Sequence, residues 1–549
     1  LKKIKKTSSF LIILYLFLTV FPNVSSAHAY IIESTPAENE TLKTAPNEVK
    51  IQFDESIQPK FNSIIVTDSN GKQVDKKNGA IDSKKPSILK ASLKKNLPGG
   101  TYRIRWKVIS NDGHPVQGVI PFQIGTGTVQ NPSSVTETKG YTPHLDLVII
   151  RWLQYLGIAC YVGLSFFYLV VAPKEVVEVR SIEKTLFKFI WSGYALLLLS
   201  NLFSLPLQAT ILLGSSWSEV FSSDALGQVL AYTLFGKMWI IQMGILLTLA
   251  FTTYFLTKAD ARKQLFSWAC FILGFGMVVT KAFTSHAASQ ANQFLSISMD
   301  ALHLLAASVW IGCLIGLVVL LPLLKNSEMK QSYVNTFQRF SNWGISLVLL
   351  LTATGIFNGF QYIPTISSIF HTDYGRVLLA KVILFIIMLI FAAVNNFKGK
   401  KAKEKGVVSS LWGELIVGMV IIVMTVILTN LPTAMSAPGP FNEKKTVNHG
   451  NSISFQVGPN VIGENNYEIT LKNRKGEPLK DIAQITLTFT HNDMNMGEDT
   501  ITLAKTADGQ YTAKGMNFNM AGKWNVHVHV LTKNLENIDT DFQCIVGSR

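Results

Sequence analysis

The chain has 549 residues, a formal charge of +15 and an apolar content of 48%. That length holds several domains, and the charge does not mark a nucleic-acid binder: much of the excess lies in the first residues and in short loops between apolar runs, a membrane-orientation pattern. The four cysteines, Cys160, Cys270, Cys313 and Cys544, form no CxxC pair; three lie in apolar runs as small hydrophobes, so a thiolate metal site is not expected.

Residues 1–27 read as a cleaved signal peptide. Lys2, Lys3, Lys5 and Lys6 form a basic start, Phe10 to Phe21 an apolar stretch too short to span a bilayer, and Ser25 and Ala27 the small residues that signal peptidase reads. The expected mature chain begins at His28, whose α-amine and ring nitrogens offer one metal two donors. Because an α-amine has a pKa near 8, metal binding there displaces a proton and weakens in acid.

Residues 28–126 read as an all-β sandwich. Alternating runs such as Val49–Phe53, Ser63–Thr67 and Tyr102–Val108 are separated by Ser69-Asn70-Gly71, Pro98-Gly99-Gly100 and Asp112-Gly113. Asp112 and His114, two apart on an extended segment, face one side. With His28 they supply three nitrogens and one carboxylate oxygen, a tetragonal N/O set that suits Cu(II). Asp112-Gly113-His114-Pro115 also reads as an ordinary turn. A Gly/Thr/Ser/Pro-rich linker over 127–143 follows.

His28-Ala29-Tyr30, Glu33-Ser34-Thr35-Pro36-Ala37, Phe53-Asp54-Glu55 and Ser110-Asn111-Asp112-Gly113-His114-Pro115-Val116-Gln117-Gly118 resemble the CopC family of extracytoplasmic copper-binding sandwiches, of Ig-like or cupredoxin-like form. The resemblance implies Cu(II) held by His28, Asp112 and His114, with Glu55 behind the ligands. The first domain contains no methionine, so the Cu(I) loops of some CopC members are missing and a Cu(II)-only member is implied.

Residues 144–432 hold eight apolar runs of membrane-crossing length: 146–172, 187–208, 236–257, 264–283, 297–324, 342–362, 376–396 and 411–431. Lys174, Arg180 and Lys184 follow the first, Lys258, Arg262 and Lys263 the third, and Lys325, Lys330 and Arg339 the fifth. Lys398, Lys400, Lys401, Lys403 and Lys405 follow the seventh. The alternate loops hold only Lys237, Lys281 and Arg376, near span ends where their heads can snorkel. The positive-inside rule puts the odd-numbered loops in the cytoplasm and both mature termini outside the plasma membrane.

His286 sits at the outer end of span four and His303 about two turns into span five. Met299, Asp300 and His303 share a helix face by their i, i+3 and i+4 spacing. Ionisable residues at such depth serve a pathway or cofactor, and a thioether with an imidazole suits Cu(I). The other reading is that His303 bonds a neighbouring helix and Met299 fills core. Thr284-Ser285-His286-Ala287-Ala288 and the His303-to-Gly312 segment resemble the CopD membrane domain, less sharply also through Arg151-Trp152 and Tyr374-Gly375-Arg376.

After a linker at 433–450, residues 451–549 read as a second all-β sandwich, with alternation in Tyr467–Leu471, Ile485–Phe489 and Trp524–Val530. His491-Asn492-Asp493-Met494-Asn495-Met496 and Met520-Ala521-Gly522-Lys523-Trp524 resemble the YtkA/FixH-like module. His491, Met494, Met496, Met516, Met520, His527 and His529 form a candidate copper set, Cu(I) by the methionines. Against it, alternating strand histidines are often surface residues and methionine is often core.

The arrangement resembles the YcnJ-like family of CopC–CopD fusions. It implies a binding and transport protein, not an enzyme, that captures Cu(II) outside the cell and mediates its uptake. Its partners would be copper ions, the lipid bilayer, a cytoplasmic copper acceptor or other extracytoplasmic copper proteins, with no nucleic acid. The chain has no P-loop and no DKTGT motif, so nothing points to ATP-driven pumping. Two alternatives stay open: a haem- or copper-dependent redox protein that reduces Cu(II), with His286 and His303 as haem ligands, and a copper-resistance buffer or exporter.

Overall fold

The computed structural model describes residues 31–547, apart from 38–39, 54–56, 58, 59–61, 110–114, 126–144, 214–215, 223, 259–261, 290–291, 364, 400–403, 432, 435–437, 448–449, 493–497 and 520–521. The first domain contains β1 (Ile31–Thr35), β2 (Thr41–Leu42), β3 (Glu48–Phe53), β4 (Ser63–Asp68), β5 (Ala80–Ile81), β6 (Ile88–Ser92), β7 (Gly100–Ile109) and β8 (Pro115–Ile124). They form two four-stranded sheets, in the orders β1-β3-β6-β5 and β2-β8-β7-β4. Strand alternation builds the core: Val49, Ile51 and Phe53 point inward from β3, and Tyr102, Ile104, Trp106 and Val108 from β7. Each large side chain buried this way contributes about 1.5–3 kcal/mol. Gly118 faces Trp106 across the β7–β8 ladder, and a Cβ there would lie 2.7 Å from the indole ring. Only a glycine lets that ring lie over the neighbouring strand.

Eight helices are long and apolar enough to cross a membrane: Leu145–Val171, Arg180–Leu212, Leu234–Lys258, Lys263–Ala282, Gln293–Lys325, Lys330–Tyr362, Asp373–Asn395 and Val408–Leu428. They coincide with the eight expected runs, but spans two and six start several residues earlier. In span six the added part is amphipathic, burying Tyr333, Val334, Phe337 and Phe340 at helical spacing. An apolar window misses such an extension because hydrogen bonding continues past the fully apolar stretch. Eight is an even number, so spans one and eight open at the same end of the bundle. There Arg151 Nη1 donates to the Thr429 carbonyl at 3.2 Å. We call this the domain-bearing end.

Span five is the centre of the bundle, with Trp310, Cys313, Leu314 and Leu317 all buried. It meets span one backbone to backbone: a Cβ on Gly163 would sit 2.1 Å from the Ser308 carbonyl, and one on Gly312 2.4 Å from Gly163. Small residues permit such approach between membrane helices. Span one is π-helical at Ala159–Gly163, which includes the crossing, and again at Phe167–Val171.

The last domain contains β9 (Phe441–Thr446), β10 (Ser452–Gly458), β11 (Gly463–Lys472), β12 (Ile482–His491), β13 (Asp499–Thr502), β14 (Ala504–Ala507), β15 (Gln510–Phe518), β16 (Gly522–Thr532) and β17 (Asn537–Val546). Its sheets run β14-β15-β11-β10-β9 and β13-β12-β16-β17. The two β-domains touch. Arg103 Nη2 lies 3.4 Å from Glu464 Oε2, both side chains largely covered, and the Val119 amide donates to the Asn519 carbonyl at 3.4 Å.

Candidate functional site

In the first domain, His28, Glu55, Asp112 and His114 lie outside the described residues. The neighbours that lead into them converge. Ile31 pairs with Phe53, and the Phe53 ring meets the Trp106 ring edge-on at 5.3 Å. Trp106 lies on β7, whose ladder with β8 ends at the Ile109–Pro115 pair. Ile31 and Phe53 thus lie on paired strands of one sheet, and the Phe53 ring meets β7 of the facing sheet.

In the membrane domain, a polar cluster occupies the domain-bearing half. His286 stands in a short 3₁₀ turn between spans four and five (His286–Ser289), its ring 6.2 Å from that of Tyr362 in a T-shaped contact. Two residues of this loop and span are joined directly: Ser285 Oγ donates to Asp300 Oδ2 at 2.7 Å. Lys281 of span four and Lys381 of span seven also bear on Asp300 electrostatically. One turn deeper, His303 Nδ1 lies 2.8 Å from Thr354 Oγ1 of span six. Thr354 Oγ1 is also bonded to the Leu350 carbonyl at 2.7 Å. The hydrogen bond of His303 to a neighbouring helix is thus present, and it orients the ring. Met299 lies half-buried a turn above, on the same span.

Beside the cluster, a cavity of about 210 Å³ is lined by Arg151, Gln154, Gln208, Gln242, Lys281 and Ser285 among others. Ser285 joins this cavity to Asp300. Lys281 corrects an expectation: it does not snorkel but is 9% exposed, because span five and the turn before it cover the end of span four. Loop counting could not reveal that. Lys381 and the buried Glu414 of span eight were also missed, although each is an ionisable residue inside an apolar run, which is itself the signal.

The last domain separates its candidate residues. His491 is buried, its ring 5.1 Å from that of Trp524 in a T-shaped contact and against the backbone of Gly522. His527 and His529 lie on the opposite face of the same sheet, so the three histidines do not share one site within the domain. His529 Nδ1 is 2.7 Å from Asp539 Oδ1, and His527 Nδ1 is 3.0 Å from Asp541 Oδ1 on the paired strand β17. Asp539 and Asp541 had no signal in the sequence until strand pairing brought them across. Met516 lies on the other sheet, while Met494, Met496 and Met520 lie outside the described residues. Asn519, which meets the first domain, immediately precedes Met520. Among the described residues no three His, Cys, Asp or Glu side chains group as a metal site.

Family models match along almost the whole chain: a CopC domain at 31–125, the N-terminal domain of a copper resistance protein D-like family at 143–294, copper resistance protein D at 334–430 and a YtkA-like domain at 451–529. The copper transport protein CutJ of Bacillus subtilis is 34% identical, over 98% of this chain and 99% of its own length. The chain belongs to the CutJ family of copper transport proteins. Copper resistance protein D of Pseudomonas syringae pv. tomato is 27% identical over 47% of this chain and 84% of its own length. The crystal structure of CopC from Methylosinus trichosporium OB3b is 29% identical, covering 18% of this chain and 93% of that one, with a TM-score of 0.17. The CutJ family thus joins a CopC sandwich, a CopD-type membrane domain and a YtkA-like domain in one multi-pass copper transport and resistance protein.

Proposed function

We propose that this protein captures Cu(II) outside the plasma membrane at His28, Asp112 and His114, with Glu55 behind them, and passes copper inward through the membrane domain. The observation that carries this reading is His303, held by Thr354 within the polar cluster of the bundle, one turn below Asp300 and in the half that bears both β-domains. The loop charges favour the far end of the bundle as the cytoplasmic one, so inward passage would run from the domain-bearing half to the remote half. His286, Met299, Asp300 and His303 form the membrane path, with Cu(I) suited to its thioether and imidazole.

The contact of Arg103 and Val119 with Glu464 and Asn519 supports a role for the last domain beside the first. Its methionine-bearing turns would accept Cu(I), and a cytoplasmic acceptor would take copper from the far end. His527 and His529, already engaged by Asp541 and Asp539, are not part of the path.

The test is uptake of isotopic copper by cells or proteoliposomes, with N-terminal sequencing and EPR of the copper-loaded protein. His28→Ala should remove the Cu(II) signal at neutral pH and slow uptake at low copper. His303→Ala should keep the signal and block uptake. Unchanged copper entry in both variants would refute the reading.

A further inference from the structure

Span eight holds a buried carboxylate that the copper path does not use. Glu414 of span eight is 1% exposed and lies in the half of the bundle remote from the β-domains. Both its oxygens accept hydrogen bonds from neutral groups: Trp310 Nε1 of span five donates to Oε1 at 2.9 Å, and Asn395 Nδ2 of span seven donates to Oε2 at 2.7 Å. Spans five, seven and one pack against span eight. Span five presents the Trp310 indole, with the Cys313 thiol three residues further along; span seven presents the Asn395 amide; no charged side chain among the described residues bears on Glu414 from any of them. A buried carboxylate without a cation is costly and in a membrane usually marks function.

Two further oxygens sit buried without a hydrogen-bond partner. One is Asn395 Oδ1, on the amide that already touches Glu414. The other is Ser410 Oγ, one helical turn from Glu414 on the same face. The site therefore gathers a carboxylate, an amide oxygen and a hydroxyl, and among the described residues neither an imidazole nor a sulfur hydrogen-bonds to the carboxylate. Oxygen donors alone suit a hard cation and not copper in either oxidation state.

We propose that Glu414, with Asn395 and Ser410, is a proton-binding site whose loading and release are coupled to copper movement. The coupling rests on the transport reading above; the proton site does not. In the charged state the carboxylate accepts from Asn395 Nδ2, as observed. On protonation a new O–H bond forms at Oε2, the proton coming from water at the far end of the bundle. Half a turn of the Asn395 amide then lets its Oδ1 accept that proton in a hydrogen bond, satisfying the orphaned oxygen. Release reverses both steps. The pair is thus a two-state element with one hydrogen bond in each state, and Trp310 holds the other carboxyl oxygen throughout.

The experiment uses the full chain in lipid. Infrared difference spectra between acid and alkaline samples should show a protonated-carboxyl band that Glu414→Gln abolishes and Glu414→Asp retains. Copper flux into proteoliposomes should respond to an imposed pH gradient in the wild type, lose that response in Glu414→Gln, and keep it in Glu414→Asp with a shifted pH profile. A band unchanged in Glu414→Gln overturns the proton site, whether or not copper moves. Loss of the band with flux still responding to the gradient overturns the coupling. A response to a sodium gradient and not to pH assigns the oxygens to a sodium ion and likewise overturns the proposal. If the wild type carries no copper at all while the band behaves as expected, the transport reading fails and the proton site stands.

Discussion

The two halves of the membrane bundle are built on opposite electrostatic plans. The domain-bearing half places Arg151 and Lys281 on a cavity and sets Asp300 against Ser285 and within the field of Lys281 and Lys381, so each charge has polar or charged company. The remote half holds Glu414 with only neutral donors. A cluster of mixed charge can admit an ion and exchange its partners, whereas an isolated carboxylate in apolar surroundings can hold little but a single hard cation. The contrast separates a place where cargo is received from a place where charge is switched. The backbone contact of Gly163 with Gly312 lies two residues past Trp310 along span five, beside the remote site.

The largest effect should come from prising that contact apart. Gly312→Leu must displace the span-one backbone, and overpacking of this kind costs about 1–3 kcal/mol or more. Thermal unfolding in detergent should show a clear loss, while Gly244→Leu, whose Cβ meets nothing within 4 Å, should behave as wild type. Equal effects would mean that the close approach of spans one and five does not limit stability.

Next in size is the separation of ligand from positioner. His303→Ala should abolish copper flux, and Thr354→Val, which removes only the group that orients the imidazole, should lower copper affinity by about tenfold. If Thr354→Val matches His303→Ala in flux but leaves copper affinity intact, the domain-bearing half does not work as a ligand site. In the remote half, Trp310→Phe leaves Glu414 Oε1 without its donor. It should destabilise by about 1–3 kcal/mol, read in the same unfolding assay, and leave copper affinity at the domain-bearing end unchanged.

These residues also mark where sequence was sufficient. Eight spans were legible because apolar length is a property of each segment alone, and the alternation in β16 placed Val526 and Val528 inside and His527 and His529 outside. Lys281 was misread because its burial depends on what span five covers, which no local pattern encodes. Asp539 and Asp541 became partners of the histidines only through the β16–β17 register. Thr354, 51 positions from His303, carries no mark at all: a threonine inside a span has many ordinary uses.

The smallest effect is expected on that exposed sheet, where charge is already balanced by water. The Asn525 amide, and then His527, hold the Asp541 carboxyl below its ordinary value. The stability this gives is present above the unfolded aspartate value of about 4 and is lost as pH falls through the lower folded one. At an exposed site it should stay under about 1 kcal/mol, and Asp541→Asn should flatten the acid limb of the unfolding curve by that amount without changing copper flux.

Arg151 reaches across from the first span to the Thr429 carbonyl just past the last, so both β-domains are tethered to one spot on the bundle. Tethering of that kind turns an encounter between two molecules into an event within one, at effective concentrations on the order of millimolar for short tethers. If the proposed transfer holds, a metal leaving one sandwich would meet its next ligands at that raised local concentration.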